Sequence, residues 1–213
     1  MTEKLPVFIL SSIVLLAIPG PDMLAIVSRG IHMGKRIAMV TTLGYLIGDV
    51  IQTAFVALGL AALINSNPVL LEILRIAGAG YLIYLGTSTL LNRHRLATPA
   101  DEHPGQLQSH VLRQSIVASI INPKTALFFI AFLPQFVSPG QGNEVFQILF
   151  LGAVFAALGF IAYMPVALCA GAIGQWLGRS PSIRSKLPVI SGSIFIGLGI
   201  FLGFYQGQQA PAN

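Results

Sequence analysis

Charge is scarce in this sequence. Only 9 % of its 213 residues are Asp, Glu, Lys or Arg, against about 25 % in a soluble globular domain. With 54 % hydrophobic residues and a mean hydropathy of +0.79, that scarcity excludes an ordinary soluble domain. Cysteine is nearly absent too. The single Cys169 lies in an apolar run, which excludes an intrachain disulfide and a thiolate metal centre and leaves a small buried filler as the expectation. There is no GxSxG, CxxC, HExxH or Walker pattern, so neither an enzyme nor an ATP-driven pump is expected. His94, His103 and His110 are loosely spaced in a polar segment, and no metal or other cofactor is expected there. The net charge of +5 comes from short basic clusters between apolar runs, which offers nucleic acid no continuous basic face. No small-x-small cleavage pattern follows the first apolar run, which therefore reads as a retained helix.

What the chain has in quantity is apolar sequence. Six runs reach the roughly 20 residues needed to cross a bilayer: Leu5 to Ser28, Ile37 to Ile64, Val69 to Leu91, Gln114 to Val137, Val145 to Gly174 and Leu187 to Tyr205. The spacing predicts an all-α membrane protein of six transmembrane helices in one integral membrane domain. Residues 1–91 form a first three-helix repeat, 92–113 a polar linker, 114–205 a second three-helix repeat and 206–213 a flexible tail. Asn67 and Pro68 are placed to cap and begin the third helix. Glu72 and Arg75 are three apart on one helix face, Pro165 is expected to kink the fifth helix, and Trp176 follows at the interface. Small residues at Gly44 and Gly48, Gly78 and Gly80, and Gly199 and Gly203 offer faces for close helix packing.

Two of the runs are interrupted by Pro19-Gly20-Pro21-Asp22 and by Asn122-Pro123-Lys124. Proline removes an amide hydrogen and clashes with the preceding turn. In lipid such irregular backbone is tolerated only inside protein or along a cavity. The breaks fall at matching places in two halves of three crossings each, and an odd number per half inverts the second half relative to the first. Inverted repeats with broken helices at mid-membrane are a recurring transporter design. Arg29, Lys35, Arg36, Arg93, Arg95, Arg113, Arg179, Arg184 and Lys186, 9 of the 12 basic residues, lie in the odd-numbered loops. The positive-inside rule then puts those loops and the 92–113 linker in the cytoplasm and both termini outside.

The charges at the breaks are the candidate site. Asp22 follows the first break, where a new helix N-terminus favours an anion, and Lys124 holds the matching place in the second half. An Asp22–Lys124 pair would lower the cost of burying either charge. A zwitterionic substrate could split it, its ammonium meeting Asp22 and its carboxylate Lys124; a permanent salt bridge locking the halves together is the structural alternative. Asn122 is placed to orient Lys124 or touch substrate, and Pro19, Gly20, Pro21 and Pro123 contribute by exposing backbone groups. Asp49, midway along the second helix, can load and release a proton, alone or with Asp22; the alternative is a carboxylate held by a polar neighbour such as Gln52 or packed against the third helix.

These residues resemble the LysE/RhtB family of amino acid exporters. The likeness is carried by Pro19-Gly20-Pro21, by Asn122-Pro123-Lys124 and by Gly44-Tyr45-Leu46-Ile47-Gly48-Asp49. The run from Gly78 to Gly86 and Leu133-Pro134-Gln135-Phe136 add to it. It covers nearly the whole chain. The resemblance implies a secondary carrier of the inner membrane that expels amino acids by proton antiport. Its members take lysine and arginine, or neutral species such as homoserine, threonine and leucine. Few acids line the core, which tilts the expectation toward a neutral or zwitterionic cargo, with a lysine/arginine exporter as the alternative. A membrane scaffold subunit without transport is the alternative of another class. The family is often described as dimeric, and the glycine faces would allow a homodimer or serve internal packing.

Overall fold

The computed structural model describes residues 4–66, 68–91, 108–138 and 140–204. Every regular element among them is a helix. In chain order these are α1 (Leu5–Ala17), α2 (Pro21–Met33), α3 (Lys35–Ser66), α4 (Pro68–Leu91), α5 (Gln108–Ile120), α6 (Pro123–Phe136), α7 (Glu144–Leu168), α8 (Ala170–Gly178) and α9 (Pro181–Phe204). Lys35–Gly59, Glu72–Leu91, Glu144–Leu168 and Lys186–Phe204 are each long and apolar enough to cross a membrane. Two bent pairs bring the number to six if each is one span.

The bends follow from the local sequence. Ile18 leaves the helical region at the end of α1, and Pro21 starts α2 at the first-turn position where its missing amide hydrogen does no harm. The axes of α1 and α2 meet at 48°. In the second pair the Asn122 side chain accepts a hydrogen bond from the Lys124 backbone N–H at 3.0 Å, which caps α6. The helices on either side of that cap meet at 50°.

α2 and α3 are joined by Gly34 alone, with φ +87°, a region closed to most side chains. α3 runs along α5 and α7 and also touches α2, while α4 lies along α9. The tight α3–α5 contact rests on Gly44 and Gly48. A methyl group on either would stand 2.5 Å from the Ser115 Cβ or 2.4 Å from the Ser119 Cβ. Gly78 faces Ala131, with an added Cβ 2.2 Å from the alanine's, and Gly199 faces the Ala79 carbonyl at 2.8 Å. Gly203 makes an ordinary contact at 3.8 Å, and a Cβ on Gly80 would meet nothing within 4 Å among the described residues, so it supports no close helix contact there. Phenylalanines fasten α6 to α1 and α7: Phe8 lies edge-on to Phe136 at 5.3 Å, and Phe129 edge-on to Phe155 at 4.9 Å.

Several expectations are corrected in detail. Helix α5 begins at Gln108, inside the segment expected as linker, and includes Arg113. Arg29 is not a loop residue: α2 continues to Met33 and buries it. Cys169 is exposed, because it stands at the step between α7 and α8 rather than on an inward face. Pro165 lies inside α7, and the helix ends only at Leu168. Glu72 and Arg75 do form an ion pair. Asn67, His94, His103, Arg93, Arg95 and the tail lie outside the described residues.

Candidate functional site

The two breaks face each other across the molecule's interior. Helix α2 is amphipathic, with Asp22, Ile26 and Arg29 on its buried face. Asp22 stands in the first turn of α2 and Lys124 in the first turn of α6. Their side chains, 5 % and 3 % exposed as whole residues, bring Lys124 Nζ to 3.6 Å from Asp22 Oδ1. That is an ion pair without a hydrogen bond. Lys124 Nζ donates instead to the carbonyl of Ile18 at 3.2 Å, an acceptor freed by the end of α1. The other carboxylate oxygen, Asp22 Oδ2, accepts a 2.6 Å hydrogen bond from the Tyr163 hydroxyl of α7. Oδ1 is buried and accepts none among the described residues.

Gly20 explains how the charges come so close to the backbone. A Cβ there would stand 2.7 Å from Asp22 Oδ1 and 3.0 Å from Lys124 Nζ. Only glycine leaves the space between the two charges open. Pro19 and Pro21 frame this glycine, and Pro123 begins α6 beside Asn122.

Asp49 lies on α3 and is equally buried. Its Oδ1 accepts a 2.8 Å hydrogen bond from the Ser119 hydroxyl near the end of α5. The expected partner, Gln52, is engaged elsewhere: its Nε2 donates to the carbonyl of Ile120 at 3.1 Å, at the second break, and its Oε1 is buried without a partner. A crevice of about 430 Å³ lined by Gln52, Val56, Leu74, Ile120, Ala126 and Ile130 flanks this region. Ala126 and Ile130 lie on the side of α6 turned away from Lys124, so the crevice is apart from the ion pair.

Asp22, Lys124, Asn122, Gly20 and Asp49 are thus gathered around two helix breaks, as the sequence pattern anticipated for the first four. Tyr163 and Ser119 were not anticipated. A tyrosine in a run as apolar as α7 was the available signal, since a buried phenol needs a partner. Ser119 carried none beyond its place one turn before the second break. Arg29 was misplaced in a loop. Its guanidinium, 6 % exposed, donates to Thr41 Oγ1 at 3.3 Å, Ser115 Oγ at 2.7 Å and Gln114 Oε1 at 2.7 Å. The described residues contain no cluster of metal-ligating side chains.

Comparison with known proteins adds an independent line. Residues 13–206 match the family model described as LysE type translocator. A protein of Vibrio cholerae named only as an uncharacterized membrane protein is 27 % identical over 195 residues, covering 92 % of this chain and 94 % of the relative. A leucine efflux protein of an Enterobacter species is 30 % identical over 197 residues, covering 92 % and 90 % of the two chains. A leucine efflux protein of Klebsiella pneumoniae is 28 % identical over 200 residues, with the same coverage, 92 % and 90 %. No solved structure matches the chain.

Proposed function

The chain belongs to the LysE type translocator family, and from that premise we propose that it is a secondary carrier exporting neutral, zwitterionic amino acids by proton antiport. The observation that carries this reading is the buried Asp22–Lys124 pair at two facing helix breaks, held close but left without a mutual hydrogen bond. A permanent structural bridge gains most from full hydrogen bonding of both partners. Here Asp22 Oδ1 has an acceptor position to spare, and Lys124 Nζ spends one of its three donors on a backbone carbonyl. An α-amino acid supplies the complementary set, with its ammonium against Asp22 Oδ1 and its carboxylate against Lys124 Nζ. Tyr163 fixes Asp22 through the oxygen that the ammonium does not need.

Asp49 is the proton-carrying group in this reading. Ser119 ties it to the second break, so a change in its protonation changes a contact between α3 and α5. The names of the leucine efflux relatives support an amino acid of aliphatic type; lysine and arginine are the alternative, their side-chain cation held by a carboxylate or by backbone carbonyls. The carrier lies in the inner membrane as two inverted repeats broken at Pro19–Pro21 and Asn122–Lys124. The exposed Lys35, Arg36, Arg113, Arg179 and Lys186 are at the cytoplasmic ends. A reporter fusion placing the C-terminus in the cytoplasm would refute that arrangement.

The test is counterflow of a labelled amino acid panel, lysine included, in proteoliposomes with and without an imposed pH difference. One class of substrate should move, faster with the gradient, and Asp22→Asn should abolish it. Silence across the panel from folded wild-type protein would refute amino acid transport. A scaffold is the answer if Asp22→Asn and Lys124→Met each destabilise the protein, the double variant recovers and no flux is found.

A further inference from the structure

Asp49 and Gln52 stand three residues apart on α3, a spacing that makes side chains neighbours on a helix face. Both are buried, and both reach the last turn of α5. Asp49 Oδ1 accepts from the Ser119 hydroxyl at 2.8 Å, and Gln52 Nε2 donates to the carbonyl of Ile120, the next residue, at 3.1 Å. That carbonyl fixes which way the amide faces, since only its nitrogen can donate. Gln52 Oε1 is thereby turned elsewhere, buried and without a donor among the described residues. It is buried even though Gln52 lines the crevice beside α6, so water in the crevice does not supply the missing hydrogen. A buried acceptor left idle is uncommon in a native fold and calls for a cause.

An ionised carboxylate cannot be that donor, because it only accepts; a protonated one can. We infer that Gln52 Oε1 is the acceptor for the protonated form of Asp49, receiving the carboxylic O–H when Asp49 takes up a proton. The step adds one proton from solvent to a carboxylate oxygen of Asp49, and no other covalent bond changes. With the proton in place, a chain of hydrogen bonds runs from the Ser119 hydroxyl through Asp49 and Gln52 to the Ile120 carbonyl, and its links reinforce one another. Loss of the proton opens that chain in the middle. Loaded Asp49 therefore ties α3 firmly to the end of α5 at the second break, and empty Asp49 slackens the tie. The inference rests on the proton-carrying role proposed above for Asp49 and adds to it the residue that holds the loaded state.

The test is infrared difference spectroscopy of the full chain in lipid, titrated with pH. The carboxylic acid band of Asp49 is the one that Asp49→Asn removes. In Gln52→Met, which keeps the length of the side chain and deletes the acceptor, that band should move to higher wavenumber, as for an acid that donates no hydrogen bond. Its midpoint should fall by about 0.4–1.1 pH units, because the lost bond favoured the protonated form. A role confined to holding the Ile120 carbonyl would move neither. The ionisable groups buried on the elements around Asp49 are Asp22 and Arg29 on α2, Tyr45 on α3 itself, Lys124 on α6 and Tyr163 on α7; none is altered by Gln52→Met. If that variant does not fold, wild type grown on isotope-labelled glutamine carries the test. One glutamine side-chain carbonyl band should then shift down with the midpoint of the Asp49 band, and should stay fixed in Asp49→Asn. An unmoved acid band and midpoint, or glutamine bands that do not titrate, overturn the role of Gln52 and leave Asp49 as the proton carrier. If Asp49→Asn removes no acid band at any pH, Asp49 carries no proton, and the reading beneath this inference falls with it.

Discussion

The hydrogen bond from Tyr163 to Asp22 is the sharpest point at which the site can be measured. Tyr163→Phe deletes one oxygen and keeps the ring, so packing in α7 is preserved. The hydroxyl is the donor to Asp22 Oδ2 at 2.6 Å, and its residue is 1 % exposed. Water has no access to replace it. A hydrogen bond to a charged group is worth about 1.5–3 kcal/mol net. Asp22 Oδ1 already accepts no hydrogen bond, so the variant leaves the carboxylate with the Lys124 charge and nothing else of the set described. Tyr163→Phe should therefore lower stability by about 1.5–3 kcal/mol, which is roughly 10- to 140-fold in the folding equilibrium at 1.4 kcal/mol per tenfold. A double-mutant cycle with Asp22→Ala isolates the bond, because the unpaired Lys124 is common to the single Asp22 variant and the double variant and cancels. The assay is reversible unfolding by SDS titration in mixed micelles, followed by the fluorescence of Trp176. A coupling of about 1.5–3 kcal/mol is expected; additivity within about 0.5 kcal/mol would refute the bond.

Other perturbations separate the roles of neighbouring residues. Gly48→Ala drives a methyl group against Ser119 and the Ile116 carbonyl and should destabilise by about 1–3 kcal/mol, displacing Ser119 from Asp49. Gly80→Ala meets open space and should be neutral or stabilising by about 0.5–1 kcal/mol; both are read by thermal unfolding in detergent. Asn122→Ala removes the cap on α6 and should lower stability by about 0.5–2 kcal/mol, with a fall in counterflow rate, since Lys124 is positioned by that turn. Asp49→Asn keeps a group able to accept from Ser119 but not to ionise. It should retain counterflow and lose the response to a pH difference, and a response equal to wild type would remove Asp49 from the coupling role.

How much of this was legible in the sequence depends on how local the cause was. The breaks at Pro19–Pro21 and Asn122–Pro123 could be read directly, because proline's missing donor and fixed φ act within one turn. The closeness of Asp22 to Lys124 followed from treating the halves as related, and Gly20 explains it at the level of atoms. Tyr163 and Ser119 could not be read the same way. Each meets its partner across 141 or 70 residues of chain, and no periodicity within α7 or α5 marks which partner that is. Arg29 was misread for an opposite reason: charge alone suggested a loop. The amphipathic face it shares with Asp22 and Ile26 was the better guide. The open ground beneath Gly80 shows the same limit, since a small residue permits contact without requiring it.

The connection at Gly34 has a mechanical consequence. With one residue between α2 and α3, and that residue at φ +87°, the joint has no slack: it works as a pinned bearing between two rods. Swinging α2 about its upstream break must drag the near end of α3 through almost the same arc. Asp22 rides on one rod and Asp49 on the other. Asp22, proposed to meet the cargo, and Asp49, proposed to carry the proton, are therefore geared together by the backbone itself, and lengthening the joint by a few flexible residues would let the two strokes slip.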